Sequence, residues 1–170
     1  MIGAGKLRGL VVDNVDPLKL GRLKVHVPSI YGASQPPDTL PWAWPCFPCG
    51  GSSDEGFFAV PEIGACVWVE LQWTNGTPDP SHPVWCGTWY PEGKTPRDVH
   101  GEAADAHYYT VLKNAPGGSE LVMCDKPGNE FIKIKHKTGA MIVIDKTGDI
   151  YLHPAAGRML RGRSSYEEPK

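Results

Sequence analysis

The chain has no long apolar run. A helix needs about 18 consecutive apolar residues to cross a bilayer, and none of its 170 residues form such a stretch. It also lacks a basic excess: 17 Lys and Arg stand against 19 Asp and Glu, a formal net charge of −2. Nucleic-acid binders draw much of their affinity from neutralised phosphates, so this balance argues against such a partner. Met1 to Gly9 contain no extended apolar core of a secretory signal, which predicts synthesis in the cytoplasm. Charged residues make up only 21% and there are six Trp, a poor recipe for disorder. The marks of common catalysts are missing too: no G-x-S-x-G, P-loop or H-E-x-x-H occurs. The carboxylate pairs Asp54-Glu55 and Glu167-Glu168 are adjacent in sequence, whereas glycoside hydrolysis needs two carboxyls held across a cleft. No enzyme activity and no cofactor are predicted.

What the chain has in quantity is Gly and Pro, 20 and 17 residues. Both weaken helix interiors, through backbone entropy and a missing N–H. They follow no three-residue period, which excludes collagen. A turn-rich, all-β protein is the expectation. The five cysteines, Cys46, Cys49, Cys66, Cys86 and Cys124, are an odd number, and reduced thiols suit a cytoplasmic origin. Cys46-Phe-Pro-Cys49 has CxxC spacing. A zinc site needs a second pair, and a redox motif would open a helix. Pro45, Pro48 and Gly50-Gly51 forbid that helix. The sequence leaves open whether Cys46 and Cys49 are paired, free or metal-bound.

Period-two alternation marks the strands. Leu23, Val25 and Val27 share one face, with Arg22, Lys24 and His26 opposite. Val67, Val69, Leu71 and Trp73 do the same before Asn75-Gly76, a strong hairpin signal. Pro83 to Tyr90 reads as the returning strand, and residues 29–56 as a long irregular stretch holding Trp42, Trp44 and Phe47. About five strands before residue 91 predict a small closed barrel, which removes exposed edges. Residues 91–107 read as a linker.

Residues 108–157 change character. Short strands are predicted at Tyr109–Leu112, Glu120–Cys124, Glu130–His136, Ala140–Asp145 and Asp149–His153, and Lys-Thr-Gly turns recur nine residues apart. Ile132 and Ile134, Ile142 and Ile144, then Ile150 and Leu152 each put an apolar pair on one face. At about 25 cal/mol per Å², two such residues cannot offset roughly 1–2 kcal/mol of backbone entropy per residue. Either the units stack in one chain as a solenoid, which with only about five units would be stubby and poorly capped, or several chains pool these stripes into one core, which is the expectation adopted. A homotrimer of triangular cross-section is the simplest expectation, with those six residues as its core.

Four stretches resemble the central-spike family of contractile injection machines, the baseplate assembly protein V and VgrG-like group. They are Asp16-Pro17-Leu18-Lys19-Leu20-Gly21-Arg22-Leu23-Lys24-Val25, Trp42-Ala43-Trp44-Pro45 with Gly56-Phe57, Pro61 to Glu70, and Pro83-Val84-Trp85-Cys86-Gly87. They fall in the family's order over residues 9–90. The resemblance implies an N-terminal oligonucleotide/oligosaccharide-type (OB) barrel over 1–90. An intertwined trimeric β-helix or β-prism needle over 108–157 and a polar tail over 158–170 would follow. It implies a structural role in a virion tail baseplate: docking on a hub protein and piercing the target envelope on sheath contraction. The turn at Gly76-Thr77-Pro78-Asp79-Pro80 departs from the family's Gly-Asp-Pro. The short join leaves no room for a lysozyme domain, and no His-x-His tip motif is present. A separate tip protein caps such a needle, or its tip is simple.

Each candidate site has a plainer reading beside it. His136 shares parity with Ile132 and Ile134, and three such imidazoles on an axis could hold a metal or anion. The simpler reading is a solvated His beside its turn. His153 has the opposite parity from Ile150 and Leu152. Lys133, Lys135 and Lys137 could touch anionic lipid, or form a solvated outer face. Trp42, Trp44, Phe47 and Phe57 could stack bases, as OB barrels do, or pack on a hub or a neighbouring subunit. The acidic balance favours packing. The alternative function is a nucleic-acid-binding OB module with an oligomerising β tail.

Overall fold

The computed structural model describes residues 5–32, 34–99, 103–114, 117–156 and 160–162. The chain divides into two compact units, one ending at Gly93 and the other beginning at Lys94. No helix among the described residues is long and apolar enough to cross a membrane.

The first unit is a closed barrel of β1 (Leu7–Asp13), β2 (Leu23–His26), β3 (Trp42–Pro45), β4 (Cys66–Thr74) and β5 (Thr77–Thr88). Around the barrel the order is β1-β2-β3-β5-β4, the arrangement of an OB-like barrel. Every pairing is antiparallel except β3 with β5. Closure comes from β1 against β4, with Leu7 opposite Val69 and Leu10 opposite Cys66.

The alternation read from the sequence is the inside-outside pattern of this barrel. Val11, Leu23, Val25, Val27, Ala43, Val67, Val69 and Trp85 form its core. Gly9 faces the same interior, and a Cβ there would collide with the Val25 side chain. Asn75 and Gly76 take positive φ, 52° and 78°, which makes the β4–β5 turn a left-handed two-residue hairpin.

Three local expectations change. The stretch 29–56 is not wholly irregular, because Trp42–Pro45 is the third barrel strand. Three prolines near it hide the strand from pattern reading, yet β3 pairs through Trp42, Ala43, Trp44 and Pro45. The returning strand starts at Thr77 rather than Pro83. Pro78 pairs with Trp73 and Pro83 with Leu71, so residues 79–82 bulge out. The alternating face of β4 also stops being buried: Val67 and Val69 are core, but Trp73 is 61% exposed. The strand outruns the barrel and carries Trp73 into the projecting hairpin.

The second unit holds β6 (Tyr109–Asn114), β7 (Ser119–Cys124), β8 (Phe131–Lys135), β9 (Met141–Ile144), β10 (Ile150–His153) and β11 (Leu160–Gly162). These form one six-stranded sheet in chain order, every neighbour antiparallel. The register gathers the apolar pairs into two rungs. One runs Met123, Ile132, Ile144, Ile150; the other Leu112, Leu121, Ile134, Ile142, Leu152. Among the described residues nothing covers this aliphatic face: Leu112 and Ile134 are both 52% exposed, and Ile132, Ile142, Ile150 and Leu152 are also exposed. On the other face Val122 and Cys124 are fully buried.

Candidate functional site

Asp16 organises the loop between β1 and β2. Its carboxylate accepts from the backbone N–H groups of Leu18 and Leu20 at 3.0 and 2.8 Å. It also accepts from Arg22 Nη2 at 2.6 Å. Both side chains are nearly buried. The Arg22 guanidinium, aided by those backbone donors, holds the Asp16 carboxyl far below the usual carboxylate range. The same guanidinium lies 5.4 Å from the Trp42 ring centre and 5.5 Å from that of Trp44. Lys24 Nζ lies 5.2 Å from Trp42. Cations thus flank Trp42 on the outer face of β2 and β3, while Trp44 stays 46% exposed.

Phe47 is turned inward. Its ring meets Trp85 edge-on at 5.4 Å and Phe58 at 5.2 Å. Trp85 Nε1 donates to the Gly21 carbonyl at 3.1 Å. Gly21 sits at φ 76°, and a Cβ there would press on Phe47 and Phe58 at 3.1 Å. The glycine of the Asp16–Arg22 stretch is therefore required by both backbone and packing.

Phe57 and Phe58 are exposed in the segment between β3 and β4, as is Ile63 at 60%. Val15, Leu18 and Leu20 are exposed in the β1–β2 loop. Asn14 donates to the Pro61 carbonyl at 3.1 Å, and Gly64 N–H donates to the Val11 carbonyl at 2.8 Å. These bonds bring the two loops together at one end of the barrel. Periodicity gave no access to this patch, because loop residues have no period; the signal was large apolar residues among turn residues.

All five thiols are free, with Cys46 and Cys49 exposed. Among the described residues no group of three His, Cys, Asp or Glu is placed to hold a metal. His136 is exposed in the β8–β9 turn. Its Nδ1 lies 2.9 Å from Thr138 Oγ1 and accepts from Thr138 N–H at 3.4 Å. Asp145 does the same work in the next turn, accepting from the Thr147 hydroxyl, the Thr147 N–H and the Asp149 N–H. The Thr147 hydroxyl leads in holding the Asp145 carboxyl down to about 2. His153 is half-buried beside Tyr151, on the face opposite Leu152.

The covered face of the sheet carries charge that the sequence reading missed. Glu120 takes Lys113 at 2.8 Å and Lys133 at 2.9 Å. Asp98, from a 3₁₀ turn at Arg97–Val99, takes the same two lysines at 3.5 and 3.3 Å. Two acids and two bases form a closed ring. The Glu120 side chain is only 4% exposed, and Lys113, then Lys133, hold its carboxyl down to about 2. Lys133 is therefore not part of a free basic stripe.

No curated protein matches the chain. Residues 7–90, which hold the whole barrel, match the family model of the Type VI secretion system/phage-baseplate injector OB domain.

Proposed function

We propose that the chain is the central spike of a contractile baseplate and works as a homotrimer. The observation that carries this reading is an injector-type barrel joined to a sheet with one uncovered aliphatic face. Monomeric proteins rarely leave a large contiguous apolar patch in water. Three copies that turn their Ile132–Ile134, Ile142–Ile144 and Ile150–Leu152 pairs toward a common axis would dry those faces together. Each Ile or Leu, already about half buried in one chain, would then contribute about 1 kcal/mol more. The second unit is the needle, and its role is mechanical rather than catalytic. It transmits the push of sheath contraction to the target envelope, behind a separate tip protein or a simple tip.

The barrel docks on the hub through the loop end that exposes Leu18, Leu20, Phe57, Phe58 and Ile63. Trp44 adjoins that surface. Trp42, engaged by Arg22 on the outer face of β2 and β3, and Phe47, packed on Trp85, are the remaining aromatic candidates for hub or subunit contact.

Native mass decides the central point. The wild-type chain should run as a trimer at micromolar concentration, and Ile142→Asp should dissociate it. A wild-type mass of one chain would refute the spike. Single-stranded DNA binding that weakens with added salt would instead favour the nucleic-acid-binding module.

A further inference from the structure

We propose that the 3₁₀ turns at Arg97–Val99 and Ala103–Tyr108 form a strap that closes one face of the second unit's sheet over β6–β8 and so decides which face can meet other copies of the chain. The assembly itself rests on the spike reading above; the strap rests on separate contacts.

The strap comprises the Arg97–Val99 turn and a second 3₁₀ turn at Ala103–Tyr108. Both pack on β6. Asp98 reaches Lys113 of β6 and Lys133 of β8. Asp105 reaches Lys126 at 2.6 Å, next to the end of β7. The Tyr108 carbonyl accepts from the Asp125 N–H at 3.0 Å. Polar anchors thus pin the strap at both ends, across the three strands β6, β7 and β8.

Val122 and Cys124 of β7 are fully buried. Register puts them on the strap's side: Val111 opposes Val122 and Tyr109 opposes Cys124 in β6, while Lys133 and Phe131 oppose them in β8. The sheet therefore has two faces that could bury apolar surface, and the chain's own strap occupies one. The aliphatic rungs are left as the face open to other copies. Without the strap, a sheet with two sticky faces could stack without limit, a route to fibres rather than closed oligomers. Charge pairing suits a local latch, since each Asp meets a lysine that is itself partly shielded from water.

Cys124 is a built-in reporter. A thiol reacts only when reagent can reach it, and Cys124 is fully buried whereas Cys46 and Cys49 are exposed. The full chain, and its Asp98→Lys, Asp105→Lys double variant, would be treated with N-ethylmaleimide and the labelled cysteines identified by peptide mass. Cys124 labelling should rise tenfold or more in the variant, while Cys46 and Cys49 label at the wild-type rate. The native mass should shift from one species to a spread of larger ones. If the lysine variant unfolds, which would show as uniform labelling of all the cysteines, Asp98→Asn with Asp105→Asn decides by the same readout.

Cys124 labelling within twofold of wild type in the folded variant would overturn the strap. Labelling that rises while the native mass stays unchanged would overturn its role in choosing the face. A wild-type mass of one chain would overturn the assembly reading, whichever way Cys124 behaves.

Discussion

Replacing Glu120 by Gln keeps its shape and removes one of the two negative charges from the ring with Asp98, Lys113 and Lys133. The carboxyl falls from 4.5 to about 2 on folding. At about 1.4 kcal/mol per tenfold change, that corresponds to roughly 3 kcal/mol of stability at neutral pH. Lys113 and Lys133 retain some contact with water, so screening reduces the figure to about 2 kcal/mol. The sign follows from the lowered pKa. The contribution is present above the ordinary carboxylate range and disappears as pH falls from about 4.5 to about 2. Urea unfolding followed by circular dichroism, at fixed protein concentration, should show Glu120→Gln about 2 kcal/mol weaker than wild type at pH 7. The difference between the two proteins should shrink to about a quarter of its neutral-pH size near pH 2.5. Taking the difference between them removes the parallel acid loss from Asp16 and Asp145, which both keep. A difference below about 0.5 kcal/mol at pH 7, or one that persists undiminished near pH 2.5, would refute the charge ring as a source of stability.

Asp16→Asn should cost about 3 kcal/mol, because it leaves Arg22 nearly buried without its counter-charge; a midpoint of chemical unfolding within error of wild type would contradict this. Gly9→Ala should destabilise the barrel by about 1–3 kcal/mol through overpacking against Val25, read as a lower thermal midpoint. His136→Asp should stabilise the second unit by about 0.5–1 kcal/mol, since a carboxylate there would repeat the backbone bonds made by Asp145. A lower unfolding midpoint in that variant would show that the two Lys-Thr-Gly turns are not equivalent.

Period-two alternation survives into the structure wherever a strand has one wet and one dry side. Leu23, Val25 and Val27, like Val67 and Val69, could be assigned to an interior from sequence. The apolar pairs from Ile132 to Leu152 could likewise be assigned to one face of each strand, but that these strands pair into a single sheet within one chain came only from the structure. Two kinds of feature were out of reach. Trp42–Pro45 is a strand only because β2 and β5 offer it partners; its own prolines argue the other way. Trp73 fits an apolar alternation, yet it is exposed because β4 outlasts the barrel beneath it.

The sequence by itself determined the class of the protein. Its Gly and Pro content argued against a helical bundle or coiled coil, and its alternation and turn residues located most strands. Its aliphatic pairs marked one face that needs cover. These are local properties, set by each residue's backbone freedom and its neighbours two positions away. The tertiary structure alone decided barrel closure, the third strand, the loop patch formed by Leu18, Leu20, Phe57, Phe58 and Ile63, and the ring of Asp98, Lys113, Glu120 and Lys133. Those depend on residues far apart in the chain, whose meeting no local pattern encodes. A buried charge such as Glu120 is tolerated only where the fold delivers both of its lysines.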